Sequence, residues 1–290
     1  MQNAGVSNLL SDAVAAVRVV RRGANGAAHG DDALAAEEPL EIRLQDGPRR
    51  APRRLLVTMR TPGHDEDLTV GLLYGEGLID RAGDVAALAP PPEARIDPDI
   101  ARNVLVARLH PRQRGSRRIP ARFGVTTSAC GVCGRRSIAG VLALAAGRSS
   151  APVDHPVVPA SILPALPAAL GGAQAVFSAT GGLHAAGLFD GEGRLLLARE
   201  DVGRHNATDK VVGALLRAGD PVPPVLFVSG RVGFEIAQKA ARLGVAVLAA
   251  ISAPTSLAVE LADAAGVALV GFLRGETYNV YTHAERLSGL

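Results

Sequence analysis

Beyond residue 174 the chain alternates between two kinds of segment, and this alternation restricts its possible folds more than any other feature. HAAGLFD and RLLLARE, joined by the turn DGEG, then VLFVSG, VAVLAAIS and VALVGFLRG are short runs, apolar at most positions. Between them, NATDKVVGALLRAG, FEIAQKAARLG and SLAVELADAAG have helical length and spacing, the first stopped by Gly219. AVFSAT reads as a further strand at the start, and YNVYT as a last one at the end. Strands this apolar cannot have a wet face, and helices of about 10 to 15 residues between them imply crossover connections. The expected fold is α/β: a mixed sheet with helices on both faces, preceded by a smaller β-rich part.

That smaller part spans residues 40–125, with the larger one over 126–290 and a flexible arm over 1–39. In the arm, GANGAAHGDDALAAEEP lacks regular apolar spacing and reads as a linker. Order is expected from EIRLQDG and RRLLVTMR, two strand-like runs, and again at NVLVARL. Between them, three acids and then Leu68, Leu72 and Leu73 predict a helix beginning near Asp65. The connector HPRQRGSRRIPAR, with Arg112, Arg114, Arg117, Arg118 and Arg122, reads as a solvated basic loop, with a phosphate or partner-protein contact as the alternative.

Composition excludes several function classes. No apolar run approaches the ~18 to 20 residues of a membrane helix. The N-terminus places its charges after its apolar stretch, the wrong order for a secretory signal, so a cytoplasmic protein with no membrane partner is expected. Aromatics are 3% and Trp is absent, which leaves no surface for stacking bases, so no nucleic-acid partner is expected. Of 31 Lys and Arg residues only Lys210 and Lys239 are lysines; a genome-level bias toward arginine is the first explanation, and the alternative is that the two mark places where a compact charge is required.

Three groups of residues carry possible chemistry. The two cysteines, Cys130 and Cys133, sit in ACGVCGRR. A disulfide closing so small a loop stabilises little, whereas glycines and following arginines favour an exposed, thiolate-rich pair. Reactive sulfur is the preferred reading, with metal binding and an inert pair as the others. The second group is SATGGLHAAGLFD with REDVGRHNATDK. There Gly181 and Gly182 could present N–H groups to an anion, and Asp201, Arg204, His205, Asn206, Asp209 and Lys210 crowd a strand-to-helix junction. His184 is as suited to a satisfied core position as to a catalytic one. The third group lies at three strand ends: Ser229, Gly230 and Arg231; Ser252, Pro254, Thr255 and Ser256; Arg274 and Gly275. Together they would make a cradle for the phosphates and base of a nucleotide.

The stretches TPGHDEDLTVGLLYGEGLI, SACGVCG, FSATGGLHAA, REDVGRHNATDKVVG, SGRVGFEIAQKAA, ISAPTSLAVELA and GFLRGETYNVYTH resemble, in order, the formate dehydrogenase accessory sulfurtransferases of FdhD/NarQ type. The resemblance implies a cytidine deaminase-like fold, a homodimer and a sulfurtransferase that carries sulfur as a persulfide. A cysteine desulfurase would supply the sulfur to the CxxC loop, with Cys130 as the carrier and Cys133 in a secondary role. The sulfur would pass to the molybdenum or tungsten of a bis(molybdopterin guanine dinucleotide) cofactor before insertion into formate dehydrogenase. That cofactor is cargo, and no tightly bound metal of the protein's own is expected. The stretch Phe272, Leu273, Arg274, Gly275, Glu276 and Thr277 matches the one such proteins use for the guanine dinucleotide. Val232 and Gly233 depart from the bulkier residues expected there, and the arm and basic connector have no clear counterpart. A zinc deaminase fits less well: it needs His-x-Glu and Pro-Cys-x-x-Cys, and here Ala185 and Ala186 follow His184 while Ala129 precedes Cys130. A basic nucleic-acid-binding module lacks aromatic interleaving and a reading helix.

Overall fold

The computed structural model describes residues 12–24, 26–47, 50–91, 98–110 and 157–290. Cys130, Cys133 and the arginines of the basic connector lie outside the described residues. The elements in order are β1 (Val14–Gly23), β2 (Gly26–Ala35), β3 (Glu38–Asp46), β4 (Arg53–Arg60), α1 (Asp65–Gly75), β5 (Val85–Ala89), α2 (Pro98–Ala101) and β6 (Val104–Leu109). After the gap follow β7 (Val158–Pro159), α3 (Leu166–Gly172), α4 (Ala175–Thr180), β8 (His184–Phe189), β9 (Leu195–Asp201), α5 (Arg204–Ala218) and β10 (Val225–Val228). The chain ends with α6 (Phe234–Leu243), β11 (Val247–Ala250), α7 (Ser256–Ala264), β12 (Ala268–Arg274), β13 (Thr277–Thr282) and β14 (Leu287–Ser288).

The expected α/β architecture with a mixed sheet is present. A six-stranded sheet runs β13-β12-β11-β10-β8-β9, with β10, β11 and β12 parallel and the remaining neighbours antiparallel. Both faces of its inner strands β10 and β11 are dry. Leu226, Val228, Leu248 and Ala250 join a core with α1, α5, α6 and α7, whereas Val225, Phe227, Val247 and Ala249 join one with Leu163, Leu166 and Leu170. This two-sided burial is why β10 and β11 are apolar at every position. A second sheet, β4-β3-β6-β5, belongs to the first of these cores. Helix α5 stops at Gly219 in the left-handed conformation, as read from the sequence. Among the described residues no helix is long and apolar enough to cross a membrane.

Two local expectations are corrected. AVFSAT is helix α4, not a strand. Its β-prone residues are overruled by the Glu200 carboxylate, which accepts from the N–H groups of Val176 (3.1 Å) and Phe177 (2.8 Å) and so caps the helix from a distant strand. The second correction concerns the arm, of which residues 14–35 are not a loose linker. They form an antiparallel ribbon, β1 on β2, with Val14 opposite Ala35 and Gly23 opposite Gly26. Because most of its side chains are exposed, no apolar alternation betrays it, although Asn25-Gly26 is a hairpin signal.

Helix α1 is the joint between the second sheet and the α/β body. Its Asp67, 5% exposed, accepts from Arg199 of β9 (3.0 Å) and from Arg217 of α5. Burial pushes this carboxyl up, but bonds from His64, Arg217 and Arg199 outweigh it and hold the pKa at about 2 against the usual 3.8. A group depressed on folding stabilises above its unfolded pKa, and that contribution disappears as pH falls through the folded value. The shift corresponds to about 2 kcal/mol, lost between roughly pH 5 and pH 2. Asp67→Asn should therefore lower the urea midpoint at pH 7 and lose most of its difference from the parent near pH 2. A difference of equal size at both values would refute the linkage.

Candidate functional site

The register of the large sheet decides which loops meet. Parallel β10, β11 and β12 end on one edge, and antiparallel β8 begins there because Ala186 lies opposite Val228. Strand β9 also ends there, with Asp201 opposite His184. That edge therefore gathers His184, Asp201 to His205, Ser229 to Arg231, Ser252 and Phe272. In open α/β sheets it is the edge at which ligands bind. Helices α5 and α6 both start here, after Gly203 and Gly233, and neither has a side-chain cap on its first N–H groups. Two uncapped helix N-termini present partial positive charge to the same space.

The centre of the edge is a cationic cluster. Gly230 is wedged in it: a Cβ there would lie 3.2 Å from Arg204 Cδ and 3.3 Å from His184 Nδ1. Arg204 is half-buried and its Nε has no hydrogen-bond partner among the described residues. Burial, then the nearby Arg231, lower its pKa, opposed by Glu235. Burial, then Arg204 and His205, likewise lower the pKa of His184 against the opposing pull of Asp201. The imidazole is therefore neutral at pH 7 and keeps an acceptor nitrogen. His205 places Nε2 2.6 Å from Glu235 Oε2 at the start of α6. Glu235 was missed from sequence, where an acid in a first helical turn reads only as a dipole partner.

The polar density of REDVGRHNATDK divides into an outward part and a buried part. Arg204 and His205 face the edge, while Asp201, Asn206, Asp209 and Lys210 are buried. Asp201 lies 2.7 Å from Lys210 Nζ, which also donates to Thr61 O at 2.8 Å. Asn206 donates to Met59 O at 2.7 Å and to Asp201 Oδ1 at 3.1 Å. These bonds lock the first turns of α5 to the end of β4 and the loop before α1. Asp209 binds Lys239 of α6 at 2.6 Å, and burial pushes its carboxyl up against the pull of that lysine. Both lysines of the chain are thus committed to buried pairs, where a compact ammonium fits and a planar guanidinium would not.

Other candidates are placed differently. Gly181 and Gly182 follow a helix, not a strand, and their N–H groups are engaged with Phe177 O (2.7 Å) and Thr180 Oγ1 (3.3 Å). An anion nest at these two glycines is therefore not formed. Ser229 Oγ accepts from the Ala185 N–H at 2.9 Å. Phe272 flanks Ser252, its N–H donating to Ser252 O at 3.3 Å. A bulge between Gly271 and Arg274 puts Phe272 in the left-handed region (φ 55°), with the residue 41% exposed. That conformation is costly for a bulky residue, and such outliers concentrate at functional positions. Leu273 is turned into the core, while Arg274, Gly275, Glu276 and Thr277 form the exposed turn between β12 and β13. This turn lies three strands from β8, about 14 Å across the sheet.

Comparison with known proteins places this geometry in a context. The model of the FdhD/NarQ family matches residues 35–288. The chain is 47% identical to the sulfur carrier protein FdhD of Nocardia farcinica over 275 residues, covering 93% of each. It is 45% identical to the protein of that name from Mycobacterium tuberculosis, covering 89% of this chain and 92% of the relative. A crystal structure described as a formate dehydrogenase accessory protein from Desulfotalea psychrophila superposes with a TM-score of 0.71 at 23% identity. It covers 94% of this chain and 99% of that one, and shows the same fold.

Proposed function

Because the chain belongs to the FdhD/NarQ family, we propose that it is a sulfur carrier serving the maturation of formate dehydrogenase. The near-full-length identity to relatives named as sulfur carriers carries this reading. In it, a cysteine desulfurase loads a persulfide onto Cys130, assisted by Cys133. The sheet edge receives the guanine dinucleotide half of the bis(molybdopterin guanine dinucleotide) cargo. Arg204 and Arg231 would meet its phosphates, helped by the N-termini of α5 and α6, and Ser229 and Ser252 supply hydroxyls. The ring of the exposed Phe272 offers a face for a planar base, with Arg274 and the following turn beside it. The protein is expected to act in the cytoplasm as a homodimer.

GDP stands in for the guanine dinucleotide end. Titration calorimetry should show GDP binding in the micromolar range or weaker, and Arg204→Gln should weaken it by about tenfold or more, as loss of a charge-assisted phosphate contact does. Arg274→Ala should weaken it as well. Absence of GDP binding would remove the cradle reading, and unchanged affinity in both variants would move the site elsewhere.

A further inference from the structure

The ribbon of β1 and β2 belongs to neither large sheet. At its base the ladder continues one rung further, with Ala36 N donating to Ala13 O at 2.8 Å, and it meets the body where the backbone of Gly182 packs on Ala35. Beyond that base most of its side chains face solvent, including Val17, Leu34 and Val20, the last 61% exposed. An isolated two-stranded ribbon is marginal in water and gains independent stability from a third strand. Helix α4 lies against β2, but among the described residues no strand pairs with the outer edge of β1. Its outward N–H and C=O groups are therefore a template for a further strand.

The side chains of β1 indicate which strand fits. Alternation places Arg18, Val20 and Arg22 on one face. On the other face Arg21 is occupied, bonded to Asp31 O (2.7 Å) and Asp32 (3.1 Å). Arg18 stands opposite Asp31 of β2 and Arg22 opposite Ala27; neither arginine forms an ion pair among the described residues, and β1 itself contains no acid. A second copy adding its β1 to this β1 would set arginine against arginine, which is unfavourable in cross-strand pairs. The same charges favour an acidic strand, so the edge is guarded against itself and open to another partner.

We propose that the outer edge of β1 receives an extended acidic segment of a partner polypeptide as a third strand, read as acid–x–apolar–x–acid. Side chains two apart in that segment share a face and stand about 4.5–5.5 Å from their neighbours. Its acids meet Arg18 and Arg22 while its apolar residue covers Val20. Main-chain bonds hold the segment and the alternating side chains select it.

The test uses the full chain and three capped, fluorescent heptapeptides: TETVTET, its lysine counterpart TKTVTKT, and TTEEVTT, which puts its two acids on opposite faces. Anisotropy should show TETVTET binding about tenfold tighter than either control, with amide exchange slowed along β1. The double substitution Arg18→Glu/Arg22→Glu should transfer the preference to TKTVTKT. Equal affinity for the three peptides, or a preference that survives the charge swap, would overturn the proposal. So would sedimentation showing that the swap dissociates a dimer, since a second copy would then occupy the edge.

Discussion

Replacing Gly213 with alanine is expected to lower stability by on the order of 4 kcal/mol, a loss large for any single methyl group. The reason lies where α1 crosses α5. A Cβ on Gly213 would sit 1.8 Å from Asp67 O and 2.7 Å from Gly71 N, and one on Gly71 would sit 1.9 Å from Asp209 O. All of these are backbone atoms of the facing helix, so no side-chain rotamer can yield. The two helices must separate instead, and the separation pulls directly on Asp67 and Asp209, whose carboxylates anchor Arg199, Arg217 and Lys239. Loss of packing and strain in the buried pairs therefore arrive together. Gly171→Ala is the control, because its position in α3 has open space around it, and it should be neutral or stabilising by about 0.5 kcal/mol. Urea titration of the three proteins measures both effects. A Gly213→Ala protein as stable as the parent would show that the helices do not touch through these glycines.

That crossing was illegible in the sequence for a physical reason. Gly71 lies in TVGLLYG and Gly213 in KVVGALLRA, and each reads alone as a mild helix weakener. Only the meeting of two helices some 140 residues apart turns the missing side chains into a contact surface. The same division holds elsewhere. Strands β8 to β13 and helices α5 to α7 were legible because burial on both faces or along one stripe prints its pattern locally. The ribbon β1–β2 was not, since exposure on both faces leaves no pattern, and α4 was misread because its cap comes from Glu200 on another strand. In the candidate site, residue types were informative and roles were not. The crowded DVGRHNATDK was rightly singled out, yet Asp201, Asn206, Asp209 and Lys210 serve to bolt α5 to its neighbours, β4 and α6 among them. The rarity of lysine was the better clue, because both lysines proved to be buried partners of aspartates.

Replacing Cys130 with alanine should abolish sulfur loading altogether, whereas Cys133→Ala should retain part of it. In the proposed reaction the Cys130 thiolate attacks the outer sulfur of the desulfurase persulfide. A sulfur–sulfur bond forms on Cys130, and the desulfurase cysteine departs as its thiolate. Without Cys130 there is no acceptor, and alanine offers no substitute. Cys133 enters afterwards: its thiolate can attack Cys130 Sγ, closing a Cys130–Cys133 disulfide and expelling the outer sulfur as hydrosulfide. A thiol reductant then restores the pair by supplying two electrons. Loss of Cys133 removes its assistance in loading and this release route but not the acceptor, so whatever persulfide forms on the Cys133→Ala protein should persist longer. Intact-protein mass spectrometry after incubation with a cysteine desulfurase and cysteine reads the outcome as the gain of one sulfur atom, reversed by a reductant. Normal loading of Cys130→Ala with none on Cys133→Ala would exchange the two roles. Normal loading of both variants, and of the double variant, would end the sulfur-carrier reading of this loop.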